Sequence, residues 1–296
     1  SAGQGWWERN SRLIHSPRPR PAPVAEQVAA WRRPASGRRP LLILGATGTL
    51  GQRLAAECEH RDIHHVLAGR GQIDLLDTTS IAAAIEQLNP WAVVNAAGWV
   101  RVDDAEENPD ACHAVNHVGA LAVARACARR GLATVNFSSD LVFDGGLTRP
   151  YHEEDAPNPL GSYGQSKLAL EQALADLPGR HLVIRTAAFF SPFDPHNFAV
   201  QALAALAEGR PYAAASDCTV TPTYLPDLCR HALDLLMDGE QGIWHLTSGT
   251  MLTWHELGLQ LAAAAGIDPA PLEARRQSEM GWRARRPQNS ALASRR

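Results

Sequence analysis

Lysine is almost missing from this chain of 296 residues: 27 of its 28 basic residues are arginine, and the exception is Lys167. Either cation suits a solvated surface, so one retained lysine marks a place where a compact ammonium serves and a planar guanidinium does not. Long apolar runs are missing too. No stretch approaches the roughly 18 uninterrupted apolar residues of a spanning helix, and the opening SAGQGWWERN does not read as a signal peptide, so no membrane is expected. The cysteines (Cys58, Cys112, Cys127, Cys218 and Cys229) are odd in number and lack CxxC or Cys/His spacing. That excludes a disulfide framework and a structural zinc, and predicts a reducing, cytoplasmic setting. The histidines, His64-His65 included, form no spaced ligand set, so no metal is expected.

What is present is enough for a full core. With 45% apolar and 20% charged residues, wholesale disorder is excluded. The length suits one large domain, or a main domain with a smaller lobe. Charge is segregated along the chain. Residues 1–40 carry a net +6 and residues 271–296 a net +5, which leaves residues 41–270 at −14. Basic ends raise the question of nucleic acid, but no basic stripe is interleaved with aromatics, and none is expected as a partner. Residues 1–40 read as a basic, Pro/Arg-rich extension or linker, with PRPRPAP extended. The Trp6-Trp7 pair is unusual for a free tail. It suggests docking on the body, or the remnant of a preceding module in a longer multi-module chain.

From Leu41 onward strands and helices alternate. LLILG (Leu41 to Gly45), HHVLAGR (His64 to Arg70), AVVNAAG, LATVNFSS and HLVIRTAAFF read as strands. LGQRLAAECEH, IAAAIEQLNP, HAVNHVGALAVARACARRG and GQSKLALEQALADLPG read as helices, the third as one long helix closed by Gly131. Continuous apolar strands separated by helices predict a parallel sheet covered on both faces. A closed eight-fold barrel would want regular repeats and no glycine-rich first turn. The fold class expected is therefore α/β, a doubly wound parallel sheet of Rossmann type.

The first turn, Gly45-Ala46-Thr47-Gly48-Thr49-Leu50-Gly51, spaces three glycines between strand and helix. Such glycines let a pyrophosphate approach free N–H groups at a helix N-terminus, which predicts a dinucleotide. Arg70, at the end of the second strand, suits a 2′-phosphate where an acidic residue would favour its absence. NADPH is thus favoured, with NADH as the other cofactor weighed, and Asp74-Leu75 is expected to face the adenine. Tyr163-Gly164-Gln165-Ser166-Lys167 places a phenol and the sole ammonium on one helical face. An ammonium there is expected to pull the phenol pKa down and make Tyr163 a general acid or base. Ser139, ending a strand at the sheet's C-terminal edge, is expected to hold a substrate carbonyl. The sequence reads Cys112 and Cys127 as core residues.

GATGTLG, VVNAAG, VDDAEENPDACHAVN, FSSDLVFDG, NPLGSYGQSK, TPTYLPDL and RRPQNSAL occur in the order seen in extended short-chain dehydrogenase/reductases. More closely, the chain resembles the dTDP-4-dehydrorhamnose reductase family from about Leu41 to its end. The resemblance implies hydride transfer from NAD(P)H to the C4 ketone of a nucleotide-linked 6-deoxyhexose. It gives Tyr163 the proton, Lys167 the tuning of that tyrosine and the ribose, and Ser139 the Ser/Thr role. Gly48, Thr49 and Leu50 match the pyrophosphate turn, and Ala97, Gly98 and Trp99 the strand-end contact to the cofactor. Asn116 matches an asparagine that supports the active site. Val102, Ser139, Asp140, Asn197 and Arg286 match the substrate side, with Arg286 a partner for the diphosphate. The division implied is a dinucleotide-binding domain over 41–190 and a smaller C-terminal substrate-binding lobe over 191–296, with 225–248 returning to the sheet. The implied partner is a nucleotide sugar, with a homodimer allowed.

Three positions depart from the family pattern. Leu141 stands in place of a tyrosine, Ala188 in place of a sugar-contacting tryptophan, and Val100 in place of a threonine. Each weakens or re-aims recognition of the sugar. The chain also stops soon after RRPQNSAL, where relatives usually continue, so a last helix is expected to be missing or disordered. The alternatives weighed are a sugar-nucleotide epimerase or dehydratase of the same fold, and a non-catalytic NADP-binding regulatory subunit. A dehydratase wants an acid/base pair beside the serine, and Leu141 next to Asp140 offers no base.

Overall fold

The computed structural model describes residues 38–192 and 194–296. The Pro/Arg-rich extension with Trp6 and Trp7 lies outside the described residues, apart from its last three. In chain order the first half contains β1 (Leu41–Leu44), α1 (Thr49–His60), β2 (His65–Ala68), α2 (Thr78–Leu88), β3 (Ala92–Asn95), α3 (Val102–Glu107) and α4 (Pro109–His113). A π turn (Ala114–Gly119) leads into α5 (Ala120–Ala128), followed by β4 (Ala133–Ser139), α6 (Ser162–Ala175) and β5 (His181–Thr186). Then come β6 (Phe189–Phe190), α7 (Phe198–Ala207), β7 (Tyr212–Ala215), β8 (Thr219–Val220), β9 (Thr223–Tyr224) and α8 (Leu225–Met237). The chain closes with β10 (Gly242–His245), β11 (Leu252–Thr253), α9 (Trp254–Ala265) and β12 (Leu272–Arg275).

Six strands form one sheet in the order β10-β5-β4-β3-β1-β2, and every pair is parallel. Within β1, Leu41 and Ile43 join one core cluster while Leu42 and Leu44 join the other. Alternation on a strand buried on both faces forces this split. α1 and α8 cover the first face, and α2 and α5 the second. The connection reverses at β1, between β3 and β2, and that switch point is where the strands' carboxyl ends open a crevice. β10, with α8 packed on α1, belongs to this sheet. Outside this sheet a second group of elements holds three two-stranded pairs, β11·β8, β12·β7 and β6·β9, with α7 against α9. Phe198, Tyr212 and Trp254 pack edge to face in its core.

Two elements differ from the expected pattern. The long helix after Pro109 is broken by the π turn, which carries Asn116. At Gly119 an added Cβ would meet Leu75 Cβ at 2.8 Å, so the helix presses there against the loop after β2. The strand expected over HLVIRTAAFF stops at Thr186, and Ala188 takes φ +41°, a left-handed conformation that costs an alanine energy. That bend turns Phe189 and Phe190 out of the main sheet to pair with β9. The C-terminal segment returns to the body. Asn289 bridges Thr219, Leu292 bridges Tyr151, and Leu292 is fully buried.

Candidate active site

The glycine turn sits at the carboxyl end of β1, and its glycines have different jobs. Gly45 has φ +107°, and a Cβ there would lie 2.8 Å from the Ala96 carbonyl. A Cβ on Gly51 would run into Gly45 O, so the helix is seated directly on the turn. Gly48 is the N-cap of α1 at φ −85° and offers no side-chain cap; its Cβ would meet only Gly45 O, at 3.5 Å. The first N–H groups of a helix have no intrahelical acceptor. At Thr49 and Leu50 they lie next to Gly48, where the open space leaves room for an anion such as a pyrophosphate to approach.

Beyond β2 the loop brings Arg70, Asp74 and Leu75 together. Arg70 lies in the turn after the strand, 81% exposed, with Nε 3.6 Å from Asp74 Oδ2. An exposed pair of this kind holds weakly, which leaves the guanidinium able to exchange partners. Asp74 also accepts from Leu76 N, while Leu75 is buried beside Gly119.

Past β3, Asn116 clamps the strand-end loop. Its Oδ1 accepts from Trp99 N at 2.8 Å and its Nδ2 donates to Trp99 O at 3.1 Å. Nδ2 also lies 3.1 Å from Ser166 Oγ, which donates to Tyr163 O at 2.7 Å. Ala97 N donates to Asn95 Oδ1. A Cβ on Gly98 would sit 2.9 Å from Asn116 Oδ1 and 3.6 Å from Lys167 Nζ, so the loop passes close over the ammonium. The π turn aims Asn116 inward.

Tyr163 and Lys167 lie one turn apart on α6, with Lys167 Nζ 5.7 Å from the phenol ring centroid. Lys167 is buried, and Nζ donates to Phe137 O at 3.0 Å. Burial lowers its pKa to about 8, against weaker opposing contributions from Cys112 and Glu171. The expectation that the ammonium pulls the phenol pKa down is corrected here. Burial pushes Tyr163 up, the Asp140 charge adds to that, and a hydrogen bond with Ser139 opposes both. One N–H of the ammonium is held by a backbone carbonyl, and desolvation of the phenolate is the largest cause of the rise.

Ser139 ends β4 beside this pair, accepting from Leu141 N at 3.1 Å and donating to Asp140 Oδ1 at 2.9 Å. Asp140 is not displayed to the crevice. Its carboxylate is buried between Ser139 and Ser290, and desolvation raises its pKa to about 6. Val102 lines a narrow slot beside Tyr163 with Leu141, Leu160 and Arg285. The slot adjoins a cleft of about 540 Å³ lined by Arg285, Arg286, Gln277, Gln288 and Asn158. Arg286 lies over the Trp282 ring and 3.2 Å from Asp103. Asn197 is the N-cap of α7, accepting from Val200 N and donating to Ser191 O and Asp194 O. Its amide is committed to holding a loop.

Sequence reasoning did not single out Asp103, Arg285 or Ser290. Asp103 Oδ1 accepts from Arg283 N, Ala284 N and Arg286 Nη2, so α3 anchors the arginine-bearing loop. The available signal was an acidic run, DDAEE, set against an arginine run far away in the chain.

The model of the RmlD substrate binding domain family matches residues 39–296. The chain belongs to this family. It is 33% identical over 230 residues to a dTDP-4-keto-6-deoxy-D-glucose reductase of Streptomyces niveus, covering 77% of this chain and 79% of that protein. A dTDP-4-dehydrorhamnose reductase of Streptomyces griseus is 32% identical over 257 residues, with 85% and 84% covered. Among solved structures, the Bacillus anthracis dTDP-4-dehydrorhamnose reductase in complex with NADP superposes with a TM-score of 0.81 at 25% identity, over 86% of this chain and 90% of that one. The RmlD family fold is thus the extended short-chain dehydrogenase/reductase fold. A Thermus thermophilus UDP-glucose 4-epimerase shares that fold at 20% identity and a TM-score of 0.74. Among the described residues, no helix is long and apolar enough to cross a membrane.

Proposed function

We propose that this chain is an NADPH-dependent reductase acting on the C4 ketone of a dTDP-linked 6-deoxyhexose. The observation that carries the reading is the meeting of Tyr163, Ser139 and Lys167 at the carboxyl edge of the sheet, beside the open space at Gly48. The two reductases at 33% and 32% identity support the substrate class. When bound, NADPH supplies the hydride. Thr49 and Leu50 hold its pyrophosphate by backbone N–H groups, Arg70 takes the 2′-phosphate, and Lys167 holds the ribose hydroxyls. Ala97, Gly98 and Trp99 form the floor above Lys167.

Tyr163 donates the proton to the ketone oxygen. Burial keeps its phenol protonated, as an acid for this step requires. Ser139 adds a hydrogen bond to the same oxygen. Arg285 and Arg286 face the cleft where a diphosphate fits, and planar guanidinium groups match phosphate oxygens. A dehydratase needs a second proton-transfer group. Leu141 supplies none and Asp140 is turned inward, so reduction is favoured. Buried free thiols at all five cysteines fit a reducing, cytoplasmic setting.

Incubation with a dTDP-4-keto-6-deoxyhexose and NADPH tests this reading, and nicotinamide absorbance should fall. Tyr163→Phe should lower kcat by roughly 10²- to 10⁴-fold, the range of a positioned general acid. Tight NADPH binding without turnover on a panel of nucleotide-sugar ketones would instead favour a regulatory subunit.

A further inference from the structure

Asp140 is a buried carboxyl that the proposed reaction does not use. Its two oxygens are divided between distant parts of the chain. Ser139 Oγ donates to Oδ1 at 2.9 Å, and Ser290 Oγ donates to Oδ2 at 2.5 Å. Ser290 belongs to the returning C-terminal segment, where its N donates to Thr219 O at 2.8 Å and its Oγ lies 3.5 Å from that same carbonyl. Ser290 is 2% exposed and Asp140 6% exposed, so solvent does not relieve either.

Two hydrogen-bond arrangements satisfy this set of atoms. In the first, Asp140 is ionised and accepts from both serines. The Ser139 hydrogen is then spent on Oδ1, while its oxygen accepts from Leu141 N, and the Tyr163 phenol alone is left to donate to a ligand oxygen. In the second, Oδ2 carries a proton and donates it to Ser290 Oγ, and the Ser290 hydrogen turns to Thr219 O. Oδ1 becomes a weak acceptor, and the Ser139 hydrogen is free to turn toward a ligand oxygen beside Tyr163. The carboxyl keeps the backbone N–H groups of Asp140 and Leu141 in both arrangements, and in the second the freed Ser139 hydrogen is paired once a ligand oxygen lies beside Tyr163.

We infer that Asp140 is a positioning residue for Ser139: with Ser290 sharing its proton, it sets whether the ketone oxygen meets one hydrogen-bond donor, Tyr163, or two. The inference deepens the proposed ketone reduction and rests on it. Burial holds the Asp140 pKa at about 6, so the switch lies in an accessible range. The titratable group facing it is Tyr163, which feels its charge; Cys112 and Lys167 lie beyond the phenol on that side. The buried Arg185–Glu171 pair also faces this region: Ser138, the neighbour of Ser139, donates to Glu171, which lies on α6 one turn past Lys167 and acts on its charge.

The test has two arms on the full chain. Infrared titration should show a carboxylic acid band with a midpoint near pH 6, lost in Asp140→Asn. Ser290→Ala and Ser139→Ala should each move that midpoint up by roughly one pH unit, because each removes a hydrogen bond that favours the ionised form. No such band, or a midpoint that neither serine variant moves, overturns the switch. In the second arm, kcat for NADPH-dependent reduction of a dTDP-4-keto-6-deoxyhexose should fall as pH rises through the same midpoint, with KM nearly unchanged. Ser290→Ala should carry that limb upward with the infrared midpoint. A merely structural Ser290 would lower activity at every pH and leave the limb in place, which overturns the positioning role. Absence of turnover in the wild type refutes the reductase reading instead, and the infrared arm then still decides whether Asp140 and Ser139 are coupled.

Discussion

At the scale of single residues, Lys167 shows how composition becomes chemistry. Its Nζ is buried, bonded to Phe137 O and beneath Gly98. An arginine there would carry a planar fork too wide for the space between β4 and the strand-end loop. Lys167→Arg, which keeps the charge, should therefore lower kcat by at least about 10²-fold, while circular dichroism shows the fold retained and Tm falls by the modest amount an overpacked buried contact costs. Burial also sets a pH limit. A lysine pKa brought down to about 8 means that the ammonium is lost as pH rises past 8. The NADPH Kd should rise through that range in the wild type. Fluorescence titration of Lys167→Met should show a weaker but pH-independent Kd, and an unchanged wild-type Kd up to pH 10 would argue against the ribose contact.

At the scale of elements, the glycine turn separates packing from binding within seven residues. Gly51 touches the backbone of Gly45, so Gly51→Ala must move the helix and should cost roughly 1–3 kcal/mol of stability as an overpacked contact. Gly48→Ala meets only an ordinary contact and a backbone angle that alanine accepts. As an N-cap substitution it should cost no more than about 1 kcal/mol, less than the Gly51 variant. Its Cβ nevertheless enters the open space beside Thr49 and Leu50, so the NADPH Kd should rise at least tenfold. Urea unfolding and cofactor titration on the two variants distinguish these outcomes. The spacing of the glycines was legible in the sequence, but the difference in their jobs was not, because it depends on where Ala96 and α1 sit. The π turn was likewise hidden. Residues 114–119 keep helical periodicity, and only the packing of Gly119 on Leu75 and the inward turn of Asn116 show the extra residue.

At the scale of the whole molecule, the buried Arg185–Glu171 pair joins the central sheet to α6. Arg185 Nη2 and Nε bond Glu171 at 2.6 and 2.9 Å, the guanidinium lies over the Phe143 ring, and Ser138 donates to the same carboxylate. Nη1 reaches Glu153 O, and the Glu153 carboxylate accepts from Ser294 in the C-terminal segment. Removing one member leaves the other charge buried and unpaired. Glu171→Ala should therefore lose roughly 3–5 kcal/mol in urea unfolding, far more than an exposed pair such as Arg210–Glu208. Neither Arg185 nor Glu171 drew notice in the sequence. An arginine within a strand and a glutamate on a helix are ordinary until the fold places them in contact.

The sequence by itself determined the alternation of strand and helix, the glycine turn, and the Tyr163–Lys167 spacing, because each is local and written in periodicity or side-chain type. It also carried the family resemblance that the match over residues 39–296 bears out. Tertiary structure alone decided which charges survive burial. It turned Asp140 inward onto Ser290, committed Asn197 to a helix cap, raised the phenol where a lowering was expected, and tied Arg286 to Asp103. Desolvation and long-range hydrogen bonding depend on neighbours distant along the chain, and no local pattern records them.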